Sequence, residues 1–195
     1  MGPFVVGSKN PDKVAEMEVI LREAGIPLVA GEWPDVAETG ATLEENARLK
    51  AVAVSAATGL PAIADDTGLE VDALGGRPGV HTARFAGPEA SYAENRAALV
   101  AALEGASGRS ARFRTVVVTA WPDGAEVVVE GALEGEIATE ERGVEGFGYD
   151  PVFRLPDGRT LAEVPPVEKN AMSHRARALA ALVAALSAGE ARDRR

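Results

Sequence analysis

The first indication of the fold class is a strand that leads into a helix, in Phe4-Val5-Val6-Gly7-Ser8-Lys9-Asn10-Pro11-Asp12-Lys13. Its apolar first part indicates a buried strand, and Asn10-Pro11-Asp12 supplies a helix cap, a proline at the first helical position and an acid in the first turn. A strand that leads directly into a helix is typical of α/β proteins. We predict a helix from Pro11 to about residue 24, ended by Gly25, with a buried face of Val14, Met17, Ile20 and Leu21.

The same alternation continues toward the middle of the chain. Residues 26–30 form a second predicted strand, and Thr42-Leu43-Glu44-Glu45 is a capping box that opens a helix ending near Gly59. Residues 61–64 are apolar and predict a buried strand, which delivers Asp65-Asp66 at its carboxyl end. This order of strands and helices predicts an α/β fold.

The second half of the chain is richer in strands. Beyond a predicted loop at residues 75–79, Ser91-Tyr92-Ala93-Glu94 is a second capping box, for a helix to about residue 103. Residues 112–120 and 126–137 have the composition of strands, and Trp121-Pro122-Asp123-Gly124 between them indicates a hairpin turn. We therefore expect antiparallel strands beside the parallel ones, in a mixed sheet.

These elements define the expected domain. We expect one α/β domain over residues 1–188, with two lobes around a central mixed β-sheet, flanking helices and an active-site cleft between the lobes. Its last helix is predicted over residues 171–186, where alanine and leucine dominate. Residues 189–195 form a charged tail that we expect to be disordered.

Composition narrows the function. The chain has 195 residues and a net charge of −10, which argues against nucleic-acid binding because duplex phosphates need a basic surface. It contains no cysteine, which excludes disulfides and cysteine-bound metals and leaves oxygen ligands and Mg²⁺ open. No apolar run approaches the ~20 residues of a membrane span, and no signal-peptide pattern is present. We expect a cytoplasmic protein with no membrane partner.

The basic residues are biased toward arginine. Among the 20 basic residues only four are lysines, namely Lys9, Lys13, Lys50 and Lys169. Two explanations are open. The bias is chance, or these positions need a compact point charge, for example on a phosphate, which arginine does not provide.

The first candidate site is the turn from Ser8 to Lys13. A helix N-terminus with unpaired N–H groups follows the strand here, which favours anion binding, and Lys13 adds a charge one turn in. The Walker pattern GxxxxGK[ST] is absent. A capped helix with a solvated lysine explains the same residues, so both interpretations stand.

The second candidate site is Asp65-Asp66-Thr67-Gly68. Ligands of α/β sheets bind outside the carboxyl ends of strands, where we expect these acids. Neighbouring side chains on a strand point in opposite directions, so one carboxylate faces the ligand, where it could hold Mg²⁺ or deprotonate a water. An acidic turn is the alternative. The adjacent acids exclude phosphatases that need the pattern D-x-D.

Two further candidate sites lie near the end of the chain. Gly146-Phe147-Gly148-Tyr149-Asp150-Pro151 places two of the nine aromatic residues between glycines, which favours stacking on a base or a tight turn anchored in the core. Lys169 is expected just before the last helix, and Ser173-His174-Arg175 in its first turn. Cations oppose the helix dipole there, so an anionic or acceptor-rich partner should compensate them.

In their order and spacing, these segments resemble the inosine triphosphate pyrophosphatase family, which acts on non-standard purine nucleoside triphosphates. The resemblance extends from Val5 to about Leu186. Ser8-x-Asn10-x-x-Lys13 is similar to the family's [T/S]-x-N-x-x-K opening. The other matching segments are residues 38–47 followed by Lys50, residues 64–69, residues 73–79, residues 146–151 and residues 173–175.

The resemblance implies hydrolysis of ITP, dITP or XTP to the monophosphate and pyrophosphate. It implies that Asp66 is catalytic, as proton acceptor or metal ligand, and that Asp66 and Glu38 hold Mg²⁺. It also implies that the protein is a homodimer. The small molecule that it binds is implied to be a purine nucleoside triphosphate. The substrate-binding residues implied are Ser8, Lys9, Asn10, Pro11, Asp12, Lys13, Lys50, Thr67, Phe147, Gly148, Tyr149, Asp150, Lys169, His174 and Arg175.

One departure and three rival interpretations accompany this resemblance. Many bacterial relatives have Glu-Glu-Thr-Gly where this chain has Ala37-Glu38-Thr39-Gly40, so the second metal ligand is expected to be Glu38. A related pyrophosphatase that acts on modified pyrimidine nucleotides is one rival. A non-catalytic nucleotide sensor is another, although it would not need both Asp65 and Asp66. The third is an α/β domain whose motifs are only caps and turns.

Overall fold

The computed structural model describes the backbone of residues 2–193 and the side chains of residues 2–189. Its sheet has the strand order β2-β1-β3-β5-β6-β7, with β4 paired to β3. The strands are β1 (Phe4–Val6), β2 (Leu28–Val29), β3 (Ala62–Val71), β4 (Pro78–Gly79), β5 (Ser110–Ala120), β6 (Glu126–Ile137) and β7 (Phe153–Arg154). The α-helices are α1 (Pro11–Glu23), α2 (Leu43–Thr58), α3 (Tyr92–Ala102), α4 (Pro166–Met172) and α5 (His174–Asp193).

The sheet is mixed, as predicted. Strand β1 runs parallel to both β2 and β3, whereas β3 pairs antiparallel with β4, and β6 with β7. The turn between β5 and β6 forms where proline and glycine predict it, and the Trp121 amide donates to the Ala125 carbonyl at 3.0 Å. Part of the loop predicted at residues 75–79 is strand β4. The α/β fold class is therefore confirmed.

The position of the adjacent acids corrects one prediction. Asp65 and Asp66 lie inside the ten-residue strand β3 rather than at its end. The parallel pairing with β1 includes Ala62 and Ile63, and β3 then continues to pair with β4 through Leu69 and Glu70. The acids thus follow the parallel segment after Ala64, and the strand can continue through them because both side chains have charged or polar partners in the interior.

Local capping signals set the helix starts. The Asn10 side chain accepts hydrogen bonds from the Asp12 and Lys13 amides at the start of α1. Thr42 and Ser91 form the predicted capping boxes of α2 and α3, and Gly59 ends α2 in the left-handed conformation. Met17 and Leu21 are buried on α1, with Val14 and Ile20 packed beside them, as the helical spacing predicts.

The predicted last helix is two helices. The chain leaves the helical conformation at Ser173, so Lys169 lies within α4, and His174 begins α5. The start of α5 packs closely on β6, because a Cβ at Gly131 of β6 would lie 2.3 Å from the His174 carbonyl oxygen. In the charged tail predicted at residues 189–195, the backbone is helical as far as Asp193. The remaining residues, and the side chains from residue 190 onward, lie outside the described part.

The chain divides into two compact units, each with a core of its own. The first unit comprises the described residues up to Asp66, Thr115–Gly131 and helix α5, and the second comprises Thr67–Arg114 and Ala132–Ser173. The first core includes Phe4, Met17, Leu21, Ile63, Val117, Leu179 and Leu182, and the second Leu69, Leu99, Phe113, Leu133, Phe153 and Leu161.

In the described part of the chain, no helix has the length and apolarity that crossing a membrane requires.

Candidate active site

Asp65 is the centre of a buried charge cluster in the first unit. Its side chain is fully buried, and its Oδ2 lies 3.3 Å from Lys13 Nζ and 3.2 Å from Arg175 Nη2. Burial alone would raise the pKa of this carboxyl. The charges of Lys13, Arg175 and Lys50 outweigh burial and hold the pKa of Asp65 well below its usual range. Asp65 is therefore a permanent anion.

Arg175 is held by two acids. Its guanidinium contacts Asp65 through Nε and Nη2, and its Nη1 donates to Glu16 on α1. The arginine is buried, so these contacts lie inside the first unit. They are the anionic compensation that the sequence predicts for cations at the start of α5. Glu16 itself was not predicted.

Asp66 has a different environment from its neighbour. Its Oδ2 accepts a hydrogen bond of 3.2 Å from Asn46 Nδ2, and its Oδ1 lies 3.7 Å from Lys50 Nζ. The pKa of Asp66 is raised, chiefly by burial, and the negative charges of Glu38 and Asp65 add to the effect against the lysines. A buried carboxylate with a raised pKa is a better proton acceptor than an ordinary aspartate.

Asn46 connects the two segments that carry the acids. Its Nδ2 donates to Asp66, while its Oδ1 accepts the Gly40 amide at 2.8 Å. Gly40 has no room for a side chain, because a Cβ there would lie 2.6 Å from Glu45 Cβ and 2.8 Å from Asn46 Oδ1. The Gly40 backbone and the Asp66 carboxylate are thus both fixed by one amide side chain.

Glu38 and Asp66 share the ammonium of Lys50. The Lys50 Nζ lies 2.8 Å from Glu38 Oε1 and is the same atom that approaches Asp66 Oδ1. No group of three histidine, aspartate or glutamate side chains suited to a metal occurs among the described residues. Magnesium is usually held by one or two carboxylates, with water and substrate phosphates completing its shell. The donor set of Asp66 and Glu38 fits that mode of binding.

The turn from Ser8 to Lys13 differs from the prediction in one respect. The α1 amides expected to be unpaired are satisfied by Asn10 Oδ1, at 3.0 Å from the Asp12 nitrogen and 3.3 Å from the Lys13 nitrogen. Ser8 Oγ accepts the Asn10 amide at 3.3 Å, and the exposed Lys9 pairs with Asp35. Lys13 is instead the group of this segment that reaches the buried acids.

The aromatic segment belongs to the second unit. The Lys169 Nζ lies 4.8 Å from the centre of the Phe147 ring and 2.6 Å from Asp150 Oδ2. Lys169 and Asp150 are both buried. Tyr149 points into the second core, where its hydroxyl donates to the Thr82 carbonyl at 2.9 Å and burial raises its pKa.

Phe147 is the more accessible of the two aromatic rings. It is half-buried, and the Tyr92 ring lies 6.1 Å from it between centroids. The Gly148 carbonyl accepts from Arg96 Nη1 at 2.9 Å. Thr67, the remaining predicted substrate-binding residue of this unit, is half-buried and directly follows Asp66 in the chain. Among these residues, Phe147 and Lys169 are placed in contact, as expected of parts of one site.

His174 has a buried partner that the sequence did not predict. Its Nδ1 lies 2.6 Å from Thr115 Oγ1, and both residues are buried in the first unit. Thr115 is 59 residues away in the chain and carries no local signal. Glu16 lies three positions after Lys13, so helical spacing places both on one face of α1, but this spacing does not indicate that Glu16 pairs with Arg175. Asn46 lies in the matching segment at residues 38–47, but the resemblance assigned it no role.

The fold and these clusters define an α/β protein with a site built of buried carboxylates and lysines. The Ham1 family model matches residues 4–185, and the chain belongs to this family. The family resemblance seen in the sequence is thereby confirmed.

Relatives match over nearly the whole chain. A dITP/XTP pyrophosphatase of Geobacillus kaustophilus is 48% identical over 189 residues, which cover 93% of this chain and 93% of the relative. A HAM1 protein from Coxiella burnetii has a similar structure, with a TM-score of 0.87, 45% identity and coverage of 96% and 99%. The Ham1 protein of Staphylococcus aureus has a TM-score of 0.85, 37% identity and coverage of 96% and 100%.

Proposed function

We propose that this protein hydrolyses non-standard purine nucleoside triphosphates, ITP, dITP and XTP, to the monophosphate and pyrophosphate. Relatives with nearly half of their residues identical are named dITP/XTP pyrophosphatases, so the reaction class is hydrolysis of a phosphoric anhydride. The observation that carries the proposal for this chain is the buried Asp66, oriented by Asn46 and adjoining two lysines and a second acid.

The triphosphate is assigned to the first unit. Lys13 and Lys50 are compact charges at Asp65 and Asp66, and lysine is a common ligand of phosphate. The turn that precedes Lys13 provides the polar groups of Ser8, Lys9, Asn10 and Asp12 beside Pro11. We assign these residues to the phosphates. The arginine-poor composition of this turn agrees with that assignment, because both of its basic residues are lysines.

Magnesium is the proposed cofactor, and Asp66 and Glu38 are the residues that would hold it. Bound there, the ion would neutralise phosphate charge and stabilise the charge that develops during displacement. Asp65 has a separate role, because Lys13 and Arg175 already neutralise it. It fixes these two cations in the interior next to Asp66.

We also assign to Asp66 the role of proton acceptor. A water oxygen forms a bond to the α-phosphorus, the bond from this phosphorus to the pyrophosphate oxygen breaks, and the water proton passes to the carboxylate. The hydrogen bond from Asn46 keeps the carboxylate oriented while it acts.

The base is assigned to Phe147 and its neighbours Gly148, Tyr149 and Asp150. The Phe147 ring provides a stacking face, and Lys169 provides a donor beside it. His174 is assigned to the 6-keto edge of the purine with Lys169. A donor directed at that oxygen would leave the 6-amino group of adenine unpaired, which disfavours ATP. Arg175 was expected to bind substrate as well, but we assign it to the first unit, where it holds Asp65 and Glu16.

Pyrophosphate release tests the function. Purified protein is given ITP, XTP, GTP or ATP, with Mg²⁺ or with EDTA, and pyrophosphate is measured separately from orthophosphate. We expect pyrophosphate from ITP and XTP only with Mg²⁺, and little from ATP or GTP. No turnover of any purine triphosphate would contradict the proposal and favour a pyrimidine-directed enzyme or a sensor.

We also propose that the protein acts in the cytoplasm as a homodimer, on a small-molecule substrate and without a nucleic-acid or membrane partner. Sedimentation velocity of the purified chain tests the dimer, and a single species with the mass of one chain would contradict it.

A further inference from the structure

Lys50 contacts both of the acids that we assign to magnesium. Its Nζ lies 2.8 Å from Glu38 Oε1 and 3.7 Å from Asp66 Oδ1. The side chain is 13% exposed, so water does little to screen these contacts. Although burial disfavours the charged form, the acids around Lys50 raise its pKa, and the ammonium stays charged. Lys50 therefore acts as a cation between two carboxylates.

A metal ion bound to these carboxylates would meet this ammonium. An ammonium in contact with carboxylate oxygens that also ligate a divalent ion is disfavoured, because the two cations repel each other at such short distances. Lys50 and the metal are thus alternatives for the same oxygens. Lys13, the other half-buried lysine of this unit, differs because it contacts Asp65, which is already held by Arg175.

Lysine is suited to changing partners. Its single ammonium lies at the end of a flexible four-carbon stem, whereas the planar arginine fork binds a carboxylate with two donors and is harder to displace. Nucleotide phosphates are the other strong anions that would enter this site under the proposed function. A phosphate near Lys50 would offer its ammonium a partner in exchange for Glu38 and Asp66.

Resting on the proposed function, we propose that Lys50 competes with magnesium for Glu38 and Asp66 and moves to the phosphates when a nucleotide binds. Movement of the ammonium then frees both carboxylates for the metal. Nucleotide and metal consequently bind with positive cooperativity, and thermodynamic linkage requires each to strengthen the other equally. Lys50 is in this view a coupling residue as well as a phosphate ligand.

Metal binding without nucleotide tests the competition. Mn²⁺ is titrated into the full chain, and free Mn²⁺ is measured by electron paramagnetic resonance, for the wild type, Lys50→Met and Lys13→Met. Both variants lose one positive charge from the same cluster, so a general electrostatic effect would strengthen Mn²⁺ binding in both. We expect Lys50→Met to bind Mn²⁺ about tenfold more tightly than the wild type, and Lys13→Met to differ by less than about threefold.

Lys50→Gln is measured as a second variant, and circular dichroism establishes that each variant is folded. Gln is shorter than Lys and uncharged, so we expect it to bind Mn²⁺ as tightly as the Met variant. Equal or weaker Mn²⁺ binding by both Lys50 variants would overturn the competition. So would equal gains in the Lys50 and Lys13 variants, because the contact with the ligand oxygens would then be irrelevant.

The coupling is tested with α,β-methylene ITP, which cannot be cleaved at the reacting bond. In the wild type we expect this analogue to tighten Mn²⁺ binding about tenfold, and in Lys50→Met to tighten it by less than about threefold. Equal tightening in both would overturn the coupling. Failure of the proposed function would be seen separately, as an absence of pyrophosphate release, while the titration without nucleotide would still report the competition.

Discussion

Asp65 and Asp66 are adjacent in the chain, yet their carboxylates have opposite electrostatic environments. Asp65 contacts Lys13 and Arg175, which hold its pKa below the usual range, whereas burial raises the pKa of Asp66. Successive side chains of a strand point to opposite faces, which explains how neighbours can differ so much. One acid is thus structural and permanently charged, and the other is suited to chemistry.

Replacing Asp66 tests its catalytic role. Asp66→Asn keeps the shape of the side chain but removes its charge and its capacity to accept a proton, so we expect kcat for ITP to fall by about a thousandfold. The melting temperature should change little. Asp72→Asn, an exposed acid of the second unit, is the matched control. Retention of most of the wild-type rate by Asp66→Asn would remove this residue from catalysis.

Replacing Asp65 tests its role in stabilising the fold. Asp65→Asn leaves the buried Lys13 and Arg175 without their shared anion, and removing one partner of a buried ion pair costs about 3 kcal/mol. For a chain of this size we expect the melting temperature to fall by roughly 10 °C. Differential scanning calorimetry measures the shift. A melting temperature close to that of the wild type would contradict the structural role of Asp65.

Lowering the pH should remove the stabilisation that Asp65 provides. The pKa of Asp65 is lower in the folded protein than in the unfolded chain, where it is about 3.9, so its stabilising effect is complete above that pH. As the pH falls below about 4, the unfolded chain takes up the proton first and this stabilisation declines. The difference in melting temperature between wild type and Asp65→Asn should therefore narrow from pH 6 to pH 3. A constant difference would contradict the assignment.

Thr115 is expected to position His174. The hydroxyl of Thr115 lies 2.6 Å from His174 Nδ1, and such a bond determines which ring nitrogen carries the proton. Thr115→Val keeps the shape and removes the bond, so we expect the ratio of kcat/KM for ITP over ATP to fall about tenfold. Thr115→Ser should restore the ratio. A purely structural role would lower the melting temperature and leave the ratio unchanged.

Gly40 should tolerate no side chain. The added methyl of Gly40→Ala would collide with Glu45 and Asn46, and Asn46 also orients Asp66. We expect a loss of about 1–3 kcal/mol in the free energy of unfolding and roughly tenfold in kcat. Urea unfolding and initial rates measure the two effects. Gly108→Ala, which adds its methyl to open space, is the control, and equal behaviour of both variants would contradict the close contact.

Local signals in the sequence were sufficient for much of the fold. The Asn10 cap and the capping boxes at Thr42 and Ser91 are short-range patterns, and each helix starts where its pattern predicts. The expected end of β3 at Asp65 was wrong because the partners that make buried acids tolerable come from elsewhere in the chain. Arg175 is 110 residues away from Asp65.

The candidate site was predictable as a set of residues but not as a set of contacts. Its motifs indicated Lys13, Lys50, Asp66, Phe147 and Lys169. The pairing of His174 with Thr115 and of Arg175 with Glu16 depends on long-range packing, for which one sequence holds no pattern. The break at Ser173 was missed because the helix-forming residues on both sides of it suggested one continuous helix. The roles of the site residues remain predictions.

The four lysines differ sharply in accessibility. The side chain of Lys9 is 53% exposed, whereas those of Lys13, Lys50 and Lys169 are 17%, 13% and 5% exposed, although each of the four lies in an ion pair. Amine-directed reagents should therefore modify Lys9 first among the lysine side chains. A fluorophore or a surface linker could be attached at this one position, and the slower acylation of the other three would serve as a chemical footprint of ligand binding.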